Sequence, residues 1–170
     1  MKQAIPGMSS SATSEVTAMI VWPSNAAHGI GRTLGQLYAI EAGVSFLTVG
    51  NLIALLTSPI GILIYISHVL PGVGTRYRLT NRRVIVERGL TGTPERSIEL
   101  DRFDRIEVVV RPGQAWYAAG DLVFSMGDRE SFRLKGVSRP EAFKAACIKG
   151  MMTYTGIKKI QERQAIPVPA

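Results

Sequence analysis

The pattern of apolar and polar positions changes its period along this chain. Residues 1–16 are rich in Ser, Thr and Ala and show no periodicity. They read as a mobile arm, the leading part of a polar N-terminal segment over 1–33. From Leu34 to Leu70 the sequence "LGQLYAIEAGVSFLTVGNLIALLTSPIGILIYISHVL" is 37 residues of nearly unbroken apolar character. Glu41 is its one acidic residue, and it has no Lys or Arg. After Gly74 the period becomes two, and after Ser138 it becomes helical.

As one straight helix the apolar run would extend about 55 Å, against a hydrocarbon core of about 30 Å. A tilted single span from about Ala42 to His68 is one solution. A hairpin of two short helices is the other, broken at Gly50-Asn51 or at Thr57-Ser58-Pro59, since Gly-Asn is a turn dipeptide and Ser-Pro suits a helix start. A hairpin puts Arg32 and the arginines after Gly74 on one side, with no basic residue in its turn, as the positive-inside rule prefers. The expected anchor is therefore a two-helix transmembrane hairpin over 34–74, with a single span and a buried soluble hairpin as alternatives. Either membrane topology places everything after Gly74 in the cytoplasm.

Strand signals follow. Arg76, Arg78 and Thr80 alternate with Tyr77 and Leu79, then Val84 and Val86 alternate with Arg83, Ile85 and Glu87. Thr80-Asn81 sits where a tight turn would join them. "ERSIEL", "DRIEVVV", "DLVFSM" and "SFRLKG" are further strands, and "LDRFDR" is a compact connection between the third and fourth. Ser138 and Glu141 have capping-box spacing, with Pro140 in the first turn, and Phe143, Cys147, Gly150, Met151 and Tyr154 share one helical face. Thr155-Gly156 is the expected stop. These elements predict an α+β domain over 75–156, an antiparallel β-barrel or sandwich capped by one C-terminal helix, with a basic tail over 157–170.

Charge changes the picture by its distribution. The chain carries a net +7, and 18 of its 20 basic residues lie at or after Arg76, against 11 of its 13 acidic ones. A basic domain beside an apolar run points to a membrane surface rather than to nucleic acid. The single Cys147 excludes an intramolecular disulfide and a multi-cysteine metal site. Lys2 and the polar residues after it do not read as a cleaved signal. The expected location is integral to the inner membrane, cytoplasmic or intracytoplasmic.

"YRLTNRRVIVERG" resembles the opening strand pair of bacterial pleckstrin-homology-like (PH-like) domains, in which a Tyr-x-Leu-Thr-(Asn/Asp)-Arg-Arg pattern follows transmembrane helices. Tyr77, Leu79, Thr80, Asn81, Arg82 and Arg83 fill that pattern. "IELDRFDRIEV" is similar to the family's third and fourth strands, "GDLVFS" to its Gly-Asp strand, and "GVSRPEAF" to the approach to its closing helix. "WPS" at Trp22–Ser24 is similar to a motif preceding its first membrane helix. The resemblance covers about 75–152 and, more loosely, back to Trp22. It implies a membrane-anchored module without enzymatic activity; related domains also occur in assembly factors of membrane complexes, photosynthetic ones included. Phosphoinositide-binding members of the wider superfamily use a long basic first loop. Here that loop is only Thr80-Asn81, too short to wrap a head group.

The candidate contact residues are Arg76, Arg78, Arg82, Arg83, Trp116 and Tyr117. The arginines read as a topology signal on a solvated strand face, as a contact for anionic lipid head groups, or as a protein contact. Trp116-Tyr117, after "RPGQA", reads as a ring pair folded under the barrel edge, an interfacial anchor or a protein-contact hot spot. Glu41 is placed near the membrane interface. No Ser-His-Asp, Cys-His, metal-ligand or phosphate-loop arrangement emerges, so no catalytic residue, cofactor or metal is expected. The expected function is a non-catalytic scaffold, accessory subunit or assembly factor docking on partners in a membrane complex, photosynthetic complexes included. The alternative is an anionic-lipid sensor or adaptor.

Overall fold

A computed structural model of the chain describes residues 14–44, 47–69, 74–89 and 91–165. In chain order the strands are β1 (Thr17–Val21), β2 (Gly43–Val44), β3 (Leu47–Thr48), β4 (Thr75–Thr80), β5 (Arg83–Arg88), β6 (Thr93–Glu99), β7 (Arg105–Val109), β8 (Ala119–Met126) and β9 (Arg129–Ser138). The helices are α1 (Gly29–Tyr38), α2 (Val49–Val69) and α3 (Pro140–Ala165). Two antiparallel sheets, β1-β4-β5-β6 and β7-β8-β9, make a PH-like sandwich, and β2-β3 is a small separate ladder.

Alternation decides which side chains meet between the sheets. Tyr77 and Leu79 of β4 face inward with Val84 and Val86 of β5 and Ile98 of β6. They meet Ile106, Leu122, Phe124, Phe132 and Leu134 from the second sheet. The Tyr77 hydroxyl crosses the sandwich and donates to the Lys135 carbonyl at 2.8 Å. Phe143 and Cys147 of α3 are fully buried in the same core, with Met151 and Tyr154 packed beside them. The expected strand pair, third and fourth strands and closing-helix face are all present.

The anchor differs from expectation. Among the described residues only α2 is long and apolar enough to cross a membrane, so the two-helix hairpin over 34–74 is not formed. The chain breaks between Tyr38 and Val49, in the stretch holding Glu41 and the β2-β3 ladder, and α2 runs unbroken through both Gly50-Asn51 and Pro59. Two local causes explain this. The Thr48 hydroxyl accepts the Asn51 backbone N–H at 3.2 Å, a cap that starts the helix before Gly50. Gly50 serves packing instead of a turn, because a Cβ there would lie 2.2 Å from the Tyr38 carbonyl oxygen. The preceding helix α1 has ten residues, about 15 Å, which is too short for a spanning leg.

The segment expected as a polar arm is structured where it is described. β1 is a sheet strand, with Ile20 opposite Arg78 and Val21 opposite Tyr77. Asn81 holds the residues before it: its side-chain oxygen accepts the Val16 N–H at 3.0 Å, and its amide donates to the Ser14 carbonyl at 3.1 Å. Residues 1–13 of the expected arm lie outside the described residues.

The closing helix also differs at both ends. Ser138 ends β9 and its hydroxyl donates to the Trp22 carbonyl at 3.4 Å, so it is not the helix cap. Glu141 pairs instead with Lys144. Thr155-Gly156 does not stop α3, which continues to Ala165. Lys158, one turn later, is 2.6 Å from Asp101, tying the added turns to the β6–β7 connection and holding the Asp101 carboxyl below its ordinary range.

Candidate functional site

The opening arginines do not form one open patch. On the outer face of β4, Arg76 lies opposite Glu87 in register, with Arg78 opposite Ile85. Glu87 is 1% exposed, yet it carries a carboxylate on the outside of the sheet. Arg76 donates to it through Nε at 2.5 Å, and Arg78 Nε approaches its other oxygen at 2.6 Å without hydrogen-bond alignment. A buried carboxylate between two guanidinium groups is stable only because both desolvated oxygens face positive charge. Arg83 is spent similarly: its Nε and terminal nitrogen clamp Glu15 at 2.8 and 2.7 Å. The Arg83 guanidinium beside Glu15 draws that carboxyl down to about 2, with the Thr80 hydroxyl assisting against the cost of burial. Arg82 is exposed at the turn beside this pair.

The Thr-Asn-Arg-Arg pattern therefore works as a latch for the chain's own N-terminal segment. Thr80 accepts the Arg83 N–H at 3.0 Å, Asn81 binds Ser14 and Val16, and Arg83 binds Glu15. Where a longer first loop would reach a ligand, this turn holds residues 14–16.

The second site residue pair has a different setting. Trp116 and Tyr117 lie on a 3-10 turn, Ala115–Tyr117, between β7 and β8. Their ring centroids are 4.8 Å apart, nearly edge to face, and Trp116 lies 4.7 Å from the ring of Tyr38 at the end of α1. Trp116 remains 46% exposed. Tyr117 is more enclosed, and burial pushes its hydroxyl up to about 12. The structure thus separates the two predicted groups, placing the arginines on β4, β5 and their turn and the aromatics on the β7–β8 connection beside α1.

Sequence reasoning missed what positions this turn. Asp121 of β8 is fully buried; its Oδ1 accepts from Gln114 Nε2 at 2.7 Å and from the Gly136 N–H at 2.9 Å. Arg111 Nε is 3.0 Å from its other oxygen. Gln114, also fully buried, accepts the Arg111 N–H at 2.7 Å and so closes the loop on itself. The Gly-Asp signal was visible in sequence as a family pattern, but its partner Gln114 carried no signal. The loop then docks on α1 at backbone contact, since a Cβ on Gly35 would lie 2.1 Å from the Gly113 carbonyl oxygen.

Helix α1 in turn joins the loop to α2. The Tyr38 hydroxyl is 2.6 Å from Thr57 Oγ1, and the Asn25 amide donates to the Gly61 carbonyl at 3.2 Å. Further along, a crevice of about 560 Å³ opens between α2 and the domain, lined by Trp22, Tyr65, Tyr117 and Arg139 among others. Among the described residues there is no group of three or more His, Cys, Asp or Glu side chains placed to hold a metal.

The family model for the bacterial PH domain matches residues 31–149, from the first turn of α1 into α3. The chain belongs to the bacterial PH domain family. The matched stretch includes most of α1, all of α2 and β4 to β9 of the sandwich, and it falls within the resemblance read from the motifs, about 75–152 and more loosely back to Trp22. No curated protein and no solved structure matches the chain. Bacterial PH domains are interaction modules for proteins or lipids.

Proposed function

We propose that this bacterial PH domain protein is a non-catalytic module, attached to the membrane through α2, that docks onto protein partners at the cytoplasmic face. It would act as a scaffold, accessory subunit or assembly factor of a membrane complex. The observation that carries this reading is the internal pairing of the arginine cluster. Arg76 and Arg78 are committed to Glu87 and Arg83 to Glu15, which leaves little of that charge for lipid phosphates. On the domain, exposed contact chemistry lies instead at the Trp116 turn, with Leu37 and Val109 exposed on α1 and β7 and Ile40 and Val110 just beyond them. Exposed Trp beside aliphatic side chains is the composition of a protein-contact centre.

The test is purification of the tagged full chain from its native membranes in mild detergent. A defined partner should co-purify, Trp116→Ala should release it, and Arg82→Glu should not. Flotation of the full chain with neutral and anionic vesicles is the companion measurement. Strong anionic selectivity, lost in salt and lost in Arg82→Glu/Arg83→Glu, would replace this reading with the lipid-sensor one.

A further inference from the structure

The outer strand of a sheet leaves alternate backbone N–H and C=O groups without a ladder partner. In the sandwich the outer strands are β1, β6, β7 and β9. β1 borders the crevice shared with Tyr65 and Ala142, and β9 takes Pro23 opposite Val137. β6 shows Pro94, Glu95 and Arg96 at exposed positions, and proline and charge both blunt an edge. β7 has no proline and no strand beyond it. Among the described residues its ladder partner is β8 alone, from Arg105 opposite Ser125 to Val109 opposite Asp121. Ile106 and Val108 turn toward the core, whereas Val109 and the next residue, Val110, are 38% and 53% exposed.

Helix α3 runs beside this edge. Ala142 lines the crevice next to β1, on one flank of the buried Phe143–Cys147 line. Lys144, Ile148 and Met151 occupy the other flank and are only partly buried. Lys158, on that same flank, reaches Asp101 in the connection that leads into β7. At the far end of the strand a Cβ on Gly120 would meet Pro140 at 3.2 Å and Val110 at 3.4 Å, so the first turn of α3 lies there. The edge is thus bounded by a half-buried helix flank on its inner side and opens at Val110 toward the Trp116 turn.

We propose that the β7 edge receives an extended segment of a protein partner as an added antiparallel strand. Side chains of that segment alternate between the Val109 face and the α3 flank. The proposal rests on the protein-docking reading above and names how the partner is held. Backbone chemistry selects the occupant, because only another extended polypeptide offers N–H and C=O groups at the spacing of a strand edge. Charge selects its composition. Arg102 and Arg105 stand at one end of the strand and Arg111 and Arg139 at the other, against the single carboxylate of Glu107 on the strand itself. The segment is therefore acidic at its ends and aliphatic at alternate positions between them. The same charge disfavours a second copy, since the net +7 lies entirely after Gly74 and copies repel one another.

The test presents the full chain in nanodiscs to a phage library of short random peptides, with empty nanodiscs as background. Enriched peptides should alternate aliphatic residues and carry Asp or Glu at their ends. Their binding should slow amide hydrogen exchange across 105–110 more than across any other strand. N-methylation at alternate peptide positions should weaken binding by about tenfold or more, and at the positions between should change it little, since one edge of the peptide pairs. Arg105→Glu, an exposed change that leaves the core alone, should weaken the same peptides. Peptides that protect the Trp116 turn but not β7, with no period in the N-methyl scan, would overturn strand addition and leave docking at the turn standing. No enrichment over empty nanodiscs would also overturn it, while partner co-purification and its loss in Trp116→Ala decide the docking reading separately. Protection of β7 that appears without peptide and rises with chain concentration would make the occupant a second copy. Protection that requires phosphatidylglycerol in the disc would make it the lipid surface.

Discussion

The rings of Tyr38 and Trp116 lie with centroids 4.7 Å apart and planes tilted by 60°. Through this contact the last residue of α1 meets the turn between β7 and β8, and the Tyr38 hydroxyl continues the connection to Thr57 of α2. The sandwich and the apolar helix are therefore coupled through one short helix, so its docking can be disturbed separately from the core.

Gly35→Ala tests that separation. Alanine raises helix propensity by about 1 kcal/mol, but its Cβ would meet the Gly113 carbonyl at 2.1 Å, and backbone cannot yield there cheaply. The expected outcome is a sandwich melting within a few degrees of the parent while Trp116 emission shifts to the red as α1 lifts off. An unshifted spectrum would mean that the helix is not seated on this loop.

Asp121→Ala should be far more damaging. It strands the Gln114 amide and the Gly136 N–H and removes a charge partner from Arg111, where the β7–β8 connection meets the second sheet. Breaking a buried, paired carboxylate costs about 3–5 kcal/mol. Urea unfolding should report a loss of that order, and a loss below about 1 kcal/mol would remove Asp121 as the organiser of the turn.

Glu87→Ala leaves Arg76 and Arg78 facing each other without their shared carboxylate. The expected result is a loss of about 3 kcal/mol by the same argument, together with a gain in anionic-vesicle binding as the two arginines are set free. Unchanged vesicle binding in a folded variant would show that the pairing is not what withholds these side chains from lipid.

The Glu15–Arg83 pair gives a pH signature. Its ordinary value of 4.5 is lowered to about 2 in the folded chain, chiefly by the hydrogen bond from Arg83. A depressed carboxylate adds stability above its unfolded value, and that stability is lost as pH falls from about 4.5 toward 2. The pair is partly exposed, so screening keeps its contribution to about 1 kcal/mol or less. Glu15→Gln should melt below the parent at pH 6 and converge with it near pH 2. A difference that persists at pH 2 would assign the effect to packing instead.

Local pattern made the sandwich legible because a two-residue period ties each core side chain to its own strand. Tyr77, Leu79, Val84 and Val86 could be read off in this way, as could Phe143 and Cys147 at helical spacing. Local signals failed where a distant partner outranked them. Gly50-Asn51 looks like a turn until Tyr38 packs against it, and Thr155-Gly156 looks like a stop although Lys158 reaches Asp101 beyond it.

From the sequence alone follow the family plan, the crowding of basic charge after Gly74 and the presence of an anchor-like apolar run, because composition and period are properties of neighbours in the chain. Only the tertiary structure decided that the arginines of β4 are spent on Glu87, that Arg83 holds Glu15, that Trp116 stacks on Tyr38, and that α2 is lined by the domain along one side. Arg83, the first residue of β5, and the Glu15 that holds it are 68 positions apart, and Trp116 is far in sequence from Tyr38. A charge or a ring is a site only when no such distant partner has taken it, and which partners meet is set by how the strands and helices pack.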